Sequence, residues 1–310
     1  MLVFRSRKKT VACGLVVLDA SYTFDQVQDR GLWRAVVSRD CGGLFDHVWS
    51  VHPMVGADGS ASVSGPLRVR EVTDSHTFVE AHLSTNRRWR HLPRTGFAIS
   101  QRRLLAVLVS FVDSGLVSAI RVGDPYYLGL LGYLLARSRG LALTVRVASD
   151  YDAAYENTGL SAYPRLIGSR RIEKLIGRFV LSRAHMVVAP NEAYLTFAIA
   201  NGVRPECCAI VPFAGLLHPS HFVDPLDRLP ARPGLGLGQR PVLVAVTRLE
   251  PVKRAVDLVD VLVGVHEEFP DASLVVVGEG SQREEMLDLV DSQDLVGDVL
   301  LVGSDRKSVV

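Results

Sequence analysis

Short apolar runs and stretches of helical periodicity alternate along most of the chain, and the alternation predicts its elements. Val11 to Leu18 reads as a first strand, with Phe45 to Val51 as another. Leu67 to Val72 and His76 to His82 read as two short strands joined around Thr73-Asp74-Ser75. Gln101 to Val112 carries Leu104, Leu105, Leu108 and Val109 at helical spacing. The clearest unit follows. A strand over Val117 to Val122 leads through Gly123-Asp124-Pro125 into a helix from Tyr126 to Arg137, ended by Gly140, and then into a strand over Leu141 to Ala148. Strand, crossover helix and strand in that order predict a parallel sheet.

Arg170 to Ser182 predicts a helix that aligns Arg170, Lys174 and Arg178, either as a solvated basic face or as a surface for an acceptor or a membrane. Met186 to Ala189 predicts a strand, and Asn191 a cap for a helix over Glu192 to Ala200 that ends at Asn201-Gly202. The rhythm then weakens across a proline-punctuated stretch. It resumes at Val242 to Val246, expected as a buried strand, followed by an amphipathic helix with Ala255, Leu258, Val259 and Leu262 inward. Strands over Leu274 to Val277 and Val299 to Val302 complete the set, with Ser281 and Glu284 as a capping box between them. The expected organisation is an N-terminal Rossmann-like domain over residues 1–220, a linker over 221–240 and a second α/β domain over 241–310. The last is short for an independent domain and stops soon after a strand, so an incomplete second domain is expected.

Composition narrows the field. With 310 residues, 48% hydrophobic and 22% charged, the chain has apolar mass for more than one core. A net charge of +2 makes no case for nucleic acid as a partner. Cys13, Cys41, Cys207 and Cys208 form no CxxC pair, so a metal site is not expected and reduced thiols in the cytoplasm are. The Leu104 to Ile120 region is interrupted by Ser110, Asp113 and Ser114 and does not read as a membrane span. Peripheral contact with a membrane surface stays open, and the basic, aromatic stretch Arg87 to Arg94 reads as a solvated loop or as a contact for an anionic acceptor or membrane headgroups.

Candidate chemistry gathers beyond strand ends, where open α/β sheets bind ligands. Arg248 and Lys253 follow the strand ending at Val246; Gly278, Glu279 and Gly280 follow the strand ending at Val277. A planar guanidinium and a mobile ammonium suit a diphosphate, although surface cations beside a helix would read the same way. Glycines at the neighbouring turn allow close approach of backbone to ligand, and Glu279 suits sugar or ribose hydroxyls. Asp124 and Asp150 emerge at N-terminal strand ends, facing the same side of the sheet as any ligand, with loop hydrogen bonding or helix capping as the alternative. No G-x-G-x-x-G follows the early strands, and no P-loop, G-x-S-x-G elbow or H-E-x-x-H occurs, which argues against dehydrogenases, NTPases, serine hydrolases and zincins.

The segment VAVTRLEPVKRAVDLVDVL, followed by LVVVGEG, closely resembles the C-terminal domain of glycosyl transferase family 4, retaining enzymes of the GT-B fold. IRVGDPYYLGLLGYLLARSRGLALTVRVASD more loosely resembles the N-domain segment of that family that lines the acceptor side, which makes Asp124 and Asp150 acceptor-side candidates. The resemblance implies an α/β, GT-B-like architecture, two Rossmann-like domains with parallel sheets facing across a cleft, the second incomplete. It implies transfer of a glycosyl group, with retention, from a nucleotide-sugar donor to a hydroxyl acceptor such as a glycan or a lipid-linked sugar. Arg248 and Lys253 stand at the family's diphosphate-binding pair, so no metal or separate cofactor is implied. The glycine-rich turn of the family is missing at Asp19 to Thr23, and its E-x7-E region is expected beyond Val302. Two rival readings follow: an inactive fragment that keeps acceptor or partner binding, and a nonenzymatic glycan-binding module.

Overall fold

A computed structural model describes residues 13–19, 22–29, 32–55, 67–82, 93–163, 166–212 and 233–303. Two compact units emerge, one of residues 1–155 with 159–216 and the other of residues 217–310 with 156–158. Most of the expected linker and of the Arg87 to Arg94 stretch, and the chain's last seven residues, lie outside the described residues.

In the first unit the elements run β1 (Gly14–Leu18), α1 (Phe24–Asp29), α2 (Trp33–Val37), β2 (His47–Val55), β3 (Leu67–Thr73), β4 (His76–His82) and α3 (Pro93–Asp113). They continue with β5 (Val117–Val122), α4 (Tyr127–Arg139), β6 (Ala142–Arg146), α5 (Tyr151–Thr158), α6 (Arg170–Leu181), β7 (Met186–Ala189), α7 (Glu192–Ala200) and β8 (Cys208–Ile210). Among the described residues the strands form one sheet in the order β3-β4-β2-β1-β5-β6-β7-β8. It is parallel except for β3, which turns back on β4 through Asp74 and so joins the main sheet. From β1 the chain builds first toward β2 and later, through β5, on the other side. The order therefore reverses between β1 and β5, where open α/β sheets form a ligand crevice.

Alternation along the strands splits the core. Val16, Leu18, Ile120, Val122, Leu143 and Val145 pack with Leu104, Leu108, Leu128, Leu131 and Leu135 on one face. Leu15, Val17 and Val48 point to the other face, while Phe78 there meets Val27 and Val36 of α1 and α2. Thr23 and Gln26 start α1 with a reciprocal capping box, backbone N of each donating to the side chain of the other at 3.0 and 2.9 Å. Asn191 caps α7 as expected, accepting from Tyr194 N at 2.9 Å.

In the second unit, β9 (Val242–Val246), α8 (Asp257–His266), β10 (Ser273–Val277), α9 (Arg283–Ser292) and β11 (Val299–Gly303) give a parallel sheet in the order β11-β10-β9. Leu274 and Val276 pack with Val259, Leu262, Met286 and Val290. The expectation of a buried β9 is corrected: Val244 and Val246 are 65% and 78% exposed. Leu243 faces the helices, so its neighbours in the alternation face the other way, where no described residue covers them. The capping box expected at Ser281 and Glu284 also does not form. Ser281 Oγ donates to Glu250 Oε2 at 2.8 Å, and α9 starts from Gln282 without a side-chain cap. No helix among the described residues is long and apolar enough to cross a membrane.

Candidate functional site

At the exits of β9 and β10 the two chains stay hydrogen-bonded beyond the strands. Thr247 N donates to Val277 O at 3.1 Å, Leu249 N to Glu279 O at 3.1 Å, and Gln282 N to Leu249 O at 2.9 Å. This close approach needs glycine. A Cβ on Gly278 would sit 1.7 Å from Thr247 O, and one on Gly280 2.1 Å from Leu249 O. Leu249 is fully buried, so extended alternation turns Arg248 away from the core, and Arg248 is exposed. Lys253 ends the 3₁₀ turn Pro251–Lys253 and is exposed as well. Neither side chain forms a hydrogen bond or ion pair among the described residues. Glu279 lies 3.7 Å from Arg283, a loose surface pair. The second unit thus brings Arg248, Lys253, Gly278, Glu279 and Gly280 onto two bonded exit segments.

The first unit places Asp124 directly after β5, at the sheet's reversal point. Its carboxylate is buried, accepting from Tyr126 N at 2.8 Å and from Tyr163 Oη at 2.5 Å. Burial pushes its pKa up to about 6, against the hydrogen bonds that favour the charged form. Asp19, after β1, adds a second negative charge nearby. Its carboxylate rests against Gly123, where a Cβ would come within 2.8 Å of Oδ1. Asp19, Gly123, Asp124, Leu128, Tyr151, Ala162 and Tyr163 line a cavity of about 210 Å³.

What holds this cavity in shape is a buried ionic network. Glu173, fully buried on α6, accepts from Ala162 N at 3.1 Å and Tyr163 N at 2.6 Å, which fixes the loop that presents Tyr163 to Asp124. Arg170 compensates Glu173 at 3.2 Å and also reaches Asp152 at 2.8 Å and Tyr126 Oη at 2.9 Å. Lys174 pairs with Asp152 at 3.0 Å. Arg170 is therefore a largely buried counter-ion and Lys174 a half-exposed one, and Arg178 of the aligned basic trio is exposed. Asp150 caps α5, its Oδ1 accepting from Asp152 N and Ala153 N at 3.0 Å each. The capping alternative raised by the sequence thus describes that oxygen, and the cap orients Tyr151 at the cavity wall.

Tyr163, Arg39, Arg121 and Arg146 escaped the sequence reading. A signal existed for two of them. Arg121 and Arg146 bring a charge into otherwise uncharged strand segments near their C-terminal ends. Tyr163 and Arg39 come from loops whose placement no local pattern announces. No group of three or more His, Cys, Asp or Glu side chains suited to a metal ion occurs among the described residues.

No protein-family model and no curated protein sequence matches the chain. Solved structures do. Anabaena HepE in complex with UDP aligns at 16% identity over 94% of this chain and 70% of that one, with a TM-score of 0.63. Sucrose-phosphate synthase from Thermosynechococcus elongatus aligns at 15% identity over 94% and 70%, also at 0.63. A UDP-forming trehalose-phosphate synthase from Burkholderia vietnamiensis aligns at 13% over 97% and 74%, at 0.59. The likeness establishes the fold: Rossmann-like α/β units of the GT-B type, with a smaller second sheet.

Proposed function

We propose that the protein transfers a glycosyl group from a nucleotide-sugar to a hydroxyl acceptor with retention of configuration, as a glycosyl transferase of family 4. The observation that carries this reading is the pair Arg248 and Lys253, exposed and without protein partners among the described residues, on exit segments drawn together by Gly278 and Gly280. Structural neighbours support it. HepE has been solved with UDP and with UDP-glucose, and a trehalose-6-phosphate synthase has been analysed for glycosyl transfer with retention. In this reading the two cations meet the donor diphosphate. The bond between the anomeric carbon and the phosphate oxygen breaks with its electron pair moving to that oxygen, and the acceptor oxygen bonds to the same carbon and passes its proton to the departing diphosphate. Cations already in place stabilise the growing charge more than the ground state, which lowers the barrier. Glu279 offers acceptor oxygens to donor hydroxyls. Asp124 faces the acceptor, and Asp150 positions Tyr151.

The test is a titration with UDP. Arg248→Ala and Lys253→Ala should each weaken binding roughly 10-fold to 100-fold, the range expected for one charge-assisted contact, and leave thermal unfolding nearly unchanged because both side chains are exposed. UDP affinity equal to wild type in both variants would overturn the assignment. The rival glycan-binding module predicts glycan affinity that neither nucleotide nor these substitutions alter.

A further inference from the structure

A third group of charges lies in the first unit beside the Asp19 and Asp124 cavity. Arg39, from the 3₁₀ turn Ser38–Asp40, donates from Nη2 to Asp19 Oδ2 at 2.7 Å, with its side chain 10% exposed. Its other terminal nitrogen, Nη1, is buried with no hydrogen-bond partner. A buried guanidinium nitrogen left in that state is costly, and such groups mark places where a polar ligand belongs. Arg121 of β5 stands in register with Val17 of β1 and Thr144 of β6. Arg146 lies two residues beyond Thr144, so strand alternation puts Arg121 and Arg146 on the same face, the face of Val17. Both are partly exposed. The fields of Arg121 and Arg146 both reach Arg39, where they add to burial in lowering its pKa, and Asp19 opposes them. Arg121 has no hydrogen bond or ion pair among the described residues. Arg39 thus meets Asp19 directly and Arg146 feels the charge of Asp19, so guanidinium groups gather next to a cavity lined by carboxylates and tyrosines.

We infer that Arg39, Arg121 and Arg146 form an anion site for the acceptor, whose hydroxyls enter the cavity of Asp19, Asp124 and Tyr163 while a phosphate meets the arginines. The hydroxyl half of this assignment rests on the glycosyl-transfer reading; the anion half stands on the arginines alone. Guanidinium groups match phosphate oxygens through paired hydrogen bonds, and carboxylates with tyrosine hydroxyls match a polyol. The acceptor class is therefore a small polyhydroxylated compound carrying a phosphate, either free in solution or as the headgroup of a lipid.

Calorimetric titration of the whole chain with glucose 6-phosphate, glucose and inorganic phosphate tests it. Glucose 6-phosphate should bind at least 10-fold more tightly than glucose, and Arg121→Gln/Arg146→Gln should remove that difference; Arg121→Lys, which keeps the charge, should retain part of it. Inorganic phosphate should compete with glucose 6-phosphate. Vesicles of phosphatidylinositol phosphate against phosphatidylcholine separate the sources: retention on the former, lost in the double variant, assigns the phosphate to a lipid. Glucose and glucose 6-phosphate binding alike, or a folded double variant that still prefers the phosphate, overturns the anion site. UDP titration of the same proteins keeps the two readings apart. UDP binding without phosphate preference rejects the anion site alone, whereas phosphate preference without UDP binding rejects the glycosyl-transfer reading alone.

Discussion

The polar edge of the first sheet and the polar edge of the second occupy equivalent places in a Rossmann plan, yet their side chains are held in opposite ways. Asp124 is buried, bonded on both oxygens and shifted in pKa by its surroundings. Arg248 and Lys253 are exposed, and among the described residues only the backbone beneath them is fixed. The first edge gains its geometry from side-chain networks running back to Glu173 and Arg170. The second gains it from two glycines. A carboxylate cavity built by packing discriminates shape, while exposed cations on a rigid backbone present charge that a diphosphate can meet without displacing a protein partner.

The largest effect should come from attacking the backbone scaffold. Gly278→Ala puts a methyl against Thr247 O, an atom that has no flexible end to yield. Loss of about 3 kcal/mol in the stability of the second unit is expected, at the upper end of ordinary overpacking. UDP binding should fall with it, and the first unit should unfold as before. Urea unfolding followed by a probe in each unit reads this out, and an unchanged second transition would mean that the exit segments separate easily.

That scaffold was legible in the sequence and the cavity only in part, for a physical reason. Gly278 and Gly280 follow a strand directly, and Arg248 precedes a helix at a strand exit, so short-range pattern reached them. The crossover over Val117 to Ala148 was equally plain from its period. The cavity joins Asp19, Asp124, Tyr151 and Tyr163 from four segments, and their meeting depends on strand order and on a loop tied to a buried Glu173. The side-chain period could not reveal that Arg170 and Lys174 turn inward to Asp152, since a helix face reads as basic whether its partner is water or another element. The capping boxes make the same point. Ser281 and Glu284 have the right spacing, but Glu250 takes the serine hydroxyl, while Thr23 and Gln26 form the motif at the start of α1.

A smaller effect sharpens the contrast in burial. A carboxyl whose pKa is higher folded than unfolded stabilises the fold while protonated, and that contribution disappears as pH rises from its unfolded value, about 3.9, through its folded value, about 6. His76 runs the other way. Burial lowers it to about 4, so its contribution is present above the unfolded value near 6.5 and is lost as pH falls toward 4. Between pH 4 and 6 the two slopes oppose each other. Asp124→Asn removes one of them, so stability at pH 7 relative to pH 4 should rise by about 2 kcal/mol compared with wild type. Parallel pH profiles for the two proteins would show that Asp124 is not desolvated.

The smallest effect separates orientation from contact at the same edge. Asp150→Ala removes the cap of α5 and should cost about 1 kcal/mol, with a few-fold rise in the acceptor KM as Tyr151 loosens. Asp150→Ser restores a capping oxygen without restoring a charge, so stability and acceptor KM should both return close to wild type. If stability returns and acceptor KM does not, the aspartate touches the acceptor itself, and the two edges differ less than their burial implies. If both return, Asp150 acts through Tyr151 alone, and Asp19 and Asp124 are the cavity carboxylates left to meet the acceptor's hydroxyls.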